Sequence, residues 1–398
     1  MPYPGEFAPY KSLHRLAESE KVKELLGEHE LRSPTVISAS LDKLPIEQLP
    51  LSQWQPNWVL AIDGSHHEVQ VKNGFPGAEA SYVTVASVLL DVAKIKELDQ
   101  HRPVDPKVFR TTQEAESIDW AFPGCNVVNK GEASAKDSLR KRLFDVFATI
   151  RMSEDGETLL DTYEALLAYK TNDQRVQYCP YEECPNEYLR SQNKYACRCD
   201  KGLALYSTDA LRIHEGMNPA GTNGAMFGEI MQVLERVWVI HILRTMEQQK
   251  WLPSLGKLAV VIDGPLAVFG HPAWLSQSIF KELTRLNEAV RAATNGQDLL
   301  LIGVEKTGEF VEHFALIDTD EKGIIGELFP KRSVALLTNS YINQNVIFSD
   351  SQRFYGRQSY FGRKLLYKTS SGARIVATLP FLAEEHKDLN KADITQFP

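Results

Sequence analysis

The chain has 398 residues, of which 43% are hydrophobic and 24% charged, with a formal net charge of -8. That length can bury a real core in one large domain or two ordinary ones, and the composition is globular rather than disordered or fibrous. No apolar run approaches the ~18 residues of a membrane span. The opening residues have neither the basic nor the apolar region of a secretory signal, so a cytoplasmic location is expected. The acid excess confines any nucleic-acid contact to a local basic stripe.

In chain order, helical periodicity from Pro9 to His29 predicts an accessory helix, within an N-terminal extension spanning residues 1–50. A proline-punctuated segment then leads into the apolar run "WVLAID", predicted as a strand ending at Asp63, with "GSHHEV" as its turn. A short strand around Val69, the loop "NGFPGAEA" and the β-branched run "SYVTVASVLLD" follow. Three strands joined by tight turns must pair antiparallel. Residues from Glu132 to Lys170 are predicted helical with a break near Gly156. A cysteine-bearing insert covers about 178–201, and a long helix runs from Ala225 to Gln249. The strand "KLAVVID" ends at Asp263, a helix spans Pro272 to Ala293, and "DLLLIGVE" is the next strand. Beyond it, "RKLLYK" and "ARIVATL" have β character.

Three antiparallel strands, helices, a strand, a helix and a strand define an RNase H-like α/β topology, a mixed sheet flanked by helices over residues 51–398. In it the first and fourth strands are parallel neighbours, which matters because "VLAIDGS" and "AVVIDGP" share one pattern. Each is a buried strand that delivers a carboxylate, with a glycine permitting a sharp turn and close backbone approach. Asp63 and Asp263 on adjacent strands can share one divalent cation, Mg²⁺ or Mn²⁺, set against a phosphate. Taken singly, either aspartate could merely end a strand. A further carboxylate is expected from the helix preceding Asp263, where Glu229 and Glu235 both flank a polar arc near Gln232 and Glu229 lies closer to the loop. His241 falls on the apolar face as a core residue, and His66 and His67 are as readily exposed turn residues as ligands.

The 24 residues from Ser351 to Arg374 contain no acid, and Arg353, Arg357, Arg363, Lys364, Lys368 and Arg374 alternate with Phe354, Tyr355, Tyr360, Phe361 and Tyr367. Cations that track phosphates and rings that stack on bases suit single-stranded DNA, although a twisted strand pair with core aromatics would show the same pattern. Cys179, Cys184, Cys197 and Cys199 fall within 21 residues, in a spacing compatible with a tetrahedral structural zinc site closed to substrate. Cys125 reads as a buried small residue.

The order of "DGS" after an apolar strand, the long helix, "IDGPL", "LLIGVEKTG" and "YFGRKLLY" resembles that of the NurA nuclease family from Trp58 onward. The resemblance implies a homodimeric, Mn²⁺-dependent DNase acting on single strands and duplex ends, fed by a HerA-type hexameric ATPase. It implies that Asp63 and Asp263 bind the metal with a helix glutamate, and that Lys306 and Tyr360 contact phosphate or substrate. One departure is the family's late metal-site residue, often histidine. His386, in "AEEHKDLN", is the only late histidine here and sits in a surface-like setting. Two rival readings are a non-catalytic DNA-binding subunit on the same fold and an actin-like ATPase, which also uses Asp-Gly turns after strands.

Overall fold

The structure, a computed structural model, describes residues 19–28, 41–50, 55–71, 77–98, 105–170, 176–179, 184, 187–189, 194–197, 204–320, 326, 328–347, 349, 354–391 and 393–397. It is a mixed α/β architecture built on a nine-stranded sheet among these residues. The first three long strands are β1 (Trp58–Gln70), β2 (Glu79–Asp91) and β3 (Gln113–Pro123). Helices α1 (Ala135–Thr149), α2 (Leu159–Ala168) and α3 (Gly224–Gln248) lead to β4 (Leu258–Asp263). Then come α4 (Leu275–Ala293), β5 (Leu300–Glu305), α5 (Glu309–Ile317), β6 (Ser333–Leu336), α6 (Asn339–Asn345), β7 (Gly362–Lys368) and β8 (Arg374–Pro380). From one edge the sheet reads β3, β2, β1, β4, β5, β8, β7, β6, and a two-residue strand, Leu44–Pro45, closes the other edge.

The expected neighbourhood holds: β1 and β4 are parallel, with Ile62 opposite Ile262, and β5 is parallel to β4, with Val304 opposite Asp263. Two expectations fail. Asp63 does not end a strand, because β1 runs unbroken to Gln70, pairs with β2 along its whole length and takes in His66, His67 and Val69. The third antiparallel strand is therefore Gln113–Pro123, a segment outside the expected strands. Its outward residues Glu114 and Glu116 are exposed, as suits an edge strand. At the other end, "RKLLYK" and "ARIVATL" form the antiparallel pair β7 and β8.

Alternation along β1 and β2 turns Leu60, Ile62, Val83 and Val85 into the core, beneath Val233, Val237 and Ile240 of α3. Helix α4 adds Leu275, Ile279, Leu283, Leu286 and Val290, at the three- and four-residue spacing of one buried stripe. Burying each such side chain is worth about 1.5–3 kcal/mol. Thr158 and Asp161 form a reciprocal capping box that starts α2 after the predicted break. Helix Glu20–Glu28 falls within the expected accessory helix, whose earlier residues lie outside the described ones. No described helix is long and apolar enough to cross a membrane.

Candidate metal centre and its surroundings

Asp63 and Asp263 occupy equivalent positions, one residue beyond the paired Ile62 and Ile262. Ile62 points into the core, so by alternation Asp63 points to the open side, where its side chain is 57% exposed. Beyond this point the partner strand leaves: Gly264 has φ +78°, a left-handed turn, and carries the chain out of the sheet. The free edge of β1 at Gly64 is filled by Glu235 of α3. A Cβ at Gly64 would stand 2.5 Å from Glu235 Oε1, so the glycine serves close approach rather than a turn. The Gly64 backbone faces the Glu235 carboxylate and favours its charged form.

One cation already bridges the two aspartates. Lys306, just past β5, places Nζ 3.6 Å from Asp63 Oδ2 and 3.2 Å from Asp263 Oδ1. Its side chain is 64% exposed, so it can swing away into solvent. Burial and the neighbouring Asp263 raise the Asp63 carboxyl above its ordinary range, against the lowering influence of Lys306. Glu235 is pushed up to about 7, first by burial and then by Asp63 and Asp263, against Arg236 and the Gly64 backbone. Asp63 and Asp263, held by one exposed ammonium, suit a hard divalent cation with oxygen ligands, and Glu235 lies near enough to feel both charges, although the three carboxylates do not all come within 4.8 Å of one another.

Arg236 holds the arrangement together. Its buried guanidinium donates to Glu235 Oε2 at 3.2 Å and to the carbonyl oxygens of Asp263, Pro265 and Ala267 at 3.2, 3.1 and 3.3 Å. It thereby fixes the turn after Asp263 to the helix that carries Glu235. Nothing in the chain sequence around Arg236 marks this role, because its partners other than Glu235 are main-chain oxygens 27 to 31 residues away.

The structure brings Glu235, not Glu229, to the aspartates. Six residues apart on a helix, the two differ by about 120° in direction. Glu229 instead accepts from the His271 backbone amide at 3.3 Å and meets its Nδ1 at 3.2 Å. His241 is a core residue paired with Thr162 at 2.8 Å. His386 is half-buried against Phe397 and its Nδ1 accepts from the Leu382 amide, away from a surface role.

The basic stripe is largely structural. Lys364 is 4% exposed and ion-paired with Glu305. Lys368 is 1% exposed and pairs with Asp318 at 2.8 Å. Arg363 is buried against main-chain oxygens, and Tyr360 is buried with its hydroxyl 3.1 Å from that of Tyr355. Lys364 and Lys368 face inward because their partners lie on β5 and at the end of α5. Arg357 is exposed, Arg374 half-exposed beside Asp318, and Arg353 lies outside the described residues.

In the insert, Cys179 follows the strand Val176–Tyr178 and Cys197 follows Lys194–Ala196. The sulfur atoms of Cys179, Cys184 and Cys197 lie within 4.8 Å of one another, with Cys184 and Cys197 at 3.7 Å. A tetrahedron with Zn–S bonds of ~2.3 Å has edges of ~3.8 Å, so the spacing fits a zinc thiolate site. Burial and the neighbouring thiols push the Cys179 thiol up, which a metal would reverse. Cys199 lies outside the described residues. Cys125 is buried and donates to the Gly77 carbonyl.

The family model for the NurA domain matches residues 58–389, most of the chain, while no curated protein matches.

Proposed function

The chain belongs to the NurA-domain family, a family of nucleases, and from that premise we propose that it is a divalent-metal-dependent DNase that hydrolyses DNA phosphodiesters. The observation that carries this reading is the pairing of Asp63 and Asp263 across neighbouring strands, bridged by Lys306 at 3.6 and 3.2 Å, with Glu235 near enough to feel both carboxylates. Asp63, Asp263 and Glu235 would hold Mn²⁺ or Mg²⁺, which when bound activates water and stabilises the leaving oxygen. Glu235 would have to be unprotonated to serve as a ligand, so cation affinity would rise with pH towards and through 7. Lys306, released from the aspartates, turns to the phosphate oxygens of the substrate. Arg236 keeps the Asp263 turn and Glu235 in register throughout.

The family suggests DNA as substrate and association with a partner ATPase. The finer reading is 5′–3′ exonuclease or single-strand endonuclease activity in end processing or repair. It includes a homodimer working with a HerA-type hexameric ATPase in the cytoplasm. Residues 1–50 act as an extension to the nuclease domain, and the 178–201 insert is stapled by structural Zn²⁺ through Cys179, Cys184, Cys197 and Cys199.

The test is cleavage of end-labelled single-stranded DNA in Mn²⁺ by the full chain and by Asp63→Asn. Cleavage is expected to fall at least about a thousandfold, ~4 kcal/mol of transition-state stabilisation. Unchanged cleavage in the variant overturns the assignment. DNA binding without cleavage by the wild type points to a scaffold subunit, and ATP hydrolysis without DNA points to an ATPase. Metal analysis that finds less than about half an equivalent of zinc ends the zinc assignment.

A further inference from the structure

A cavity of 780 Å³ lies between the start of α4, the segment 354–363 and the turn Glu384–Lys387. Its volume is typical of small-molecule sites, which span about 300–1,000 Å³. Trp274, Phe354 and Tyr355 contribute aromatic surface, and Lys170, Lys281 and Arg357 contribute cations. Lys170 Nζ lies 4.0 Å from the centre of the Trp274 ring, and Lys281 Nζ donates to the Tyr169 carbonyl at 3.3 Å and lies 5.9 Å from the centre of the Tyr169 ring. The Arg357 guanidinium has no hydrogen-bond or ion-pair partner among the described residues. Glu384 is the one carboxylate among the described lining residues, and Lys387 neutralises it at 3.2 Å.

The inner wall carries a second, independent sign. Arg363 is 3% exposed, and its guanidinium donates to the main-chain oxygens of Leu337, Asp388, Leu389 and Lys391 but to no carboxylate. The nearby Asp388 carboxylate is engaged by Lys391 at 3.4 Å and by the Asn390 amide. Burial therefore lowers Arg363 to about 10, with Asp388 only partly opposing. A buried cation without an anionic partner is costly, and a bound anion would relieve that cost. The wall also adjoins the metal centre: the Phe361 amide donates to the Leu266 carbonyl at 2.9 Å, and the Val268 amide to Ser359 at 2.8 Å.

We propose that this cavity binds a single nucleotide, with its phosphate at Lys281 and Arg357, its charge also felt by the buried Arg363, and its base against the Trp274 and Tyr355 rings. Cations for phosphate and flat rings for a base are what such a ligand needs. The choice of ligand class rests on the DNase reading. The same chemistry comes from a free 5′-mononucleotide or from the 5′-phosphorylated end of a strand.

The experiment is titration calorimetry of the full chain in chelator, so that no divalent cation occupies the carboxylates. The probes are dAMP, inorganic phosphate, deoxyadenosine, and a trinucleotide with and without a 5′-phosphate. We expect dAMP to bind at least tenfold more tightly than phosphate or deoxyadenosine alone. The Lys281→Glu/Arg357→Glu double variant should weaken binding at least tenfold at unchanged melting temperature, and Asp63→Asn should leave it unaltered. Competition by the 5′-phosphorylated trinucleotide identifies a strand end as the occupant, and binding of dAMP alone identifies a free nucleotide. Absence of dAMP binding, or binding indifferent to the double variant, overturns the proposal. DNA cleavage without dAMP binding removes the pocket and leaves the DNase, whereas dAMP binding without cleavage does the reverse.

Discussion

Two buried glutamates on neighbouring helices have opposite electrostatics. Glu235 on α3 is 4% exposed and Glu282 on α4 is 1% exposed. Glu282 accepts from Tyr169 at 2.7 Å, from Arg244 at 2.7 Å and from Arg285 at 2.8 and 3.1 Å, and these donors hold it near 2 despite its burial. Glu235 has one arginine, most of whose donors go to carbonyl oxygens, and two aspartates facing it, which with burial bring it to about 7. Glu282 is a finished ion cluster that locks α2, α3 and α4 together. Glu235 belongs to an unfinished one, whose missing positive charge is the strongest argument for a metal.

Breaking the finished cluster should have the largest effect on stability. Glu282→Ala leaves Arg244 and Arg285 short of a carboxylate, and urea denaturation should show a loss of about 3–5 kcal/mol. A loss below ~1 kcal/mol would mean that the remaining acids, Glu157 and Glu247, re-form the cluster.

The pH dependence should run in opposite directions at the two sites in metal-free protein. Glu282 has a depressed folded pKa, so its stabilisation is present above 4.5 and fades as pH falls towards 2. Glu235 has a raised folded pKa, so its contribution is present below 4.5 and is lost as pH rises to about 7. Relative to Glu235→Gln, the wild type should lose up to about 3 kcal/mol over that window. Relative to Glu282→Gln, it should lose a similar amount on acidification. Parallel slopes for the two variants would contradict the contrast.

Completing the unfinished cluster should stabilise the fold. Mn²⁺ at a hundred times its dissociation constant should add about 2.7 kcal/mol by thermal denaturation. At one fixed Mn²⁺ concentration the gain should be larger at pH 8 than at pH 6, and absent in Asp263→Asn. An equal gain in that variant would place the cation elsewhere.

The smallest effect is expected at Lys306. Lys306→Gln breaks an exposed pair and should change stability by less than about 1 kcal/mol, while lowering cleavage if the ammonium serves the phosphate. The stability change is read by urea denaturation, and cleavage by gel assay.

The skeleton of this site was legible from the chain alone, and its details were not. Strands such as "VLAID" and "AVVID" announce themselves by apolar runs, and α3 and α4 by their periodicity. Strand β3 escaped because an edge strand can turn Glu114 and Glu116 to solvent and lose the apolar alternation. His66 and His67 resembled turn residues, yet pairing with β2 carries the strand through them. Local pattern also does not set the phase of α3 against the sheet edge, which is what decides between Glu229 and Glu235. Lys364 and Lys368 looked like a DNA-binding face because Glu305 and Asp318, which neutralise them, lie 59 and 50 residues away.

The central claim is that Asp63, Asp263 and Glu235 share one divalent cation. Anomalous diffraction at the manganese edge, from crystals soaked in Mn²⁺ near pH 8, tests it directly. A single strong peak coordinated by oxygens of all three carboxylates, with Lys306 turned away, is the expected result. No peak between Asp63 and Asp263, with manganese bound elsewhere or nowhere, would contradict the account.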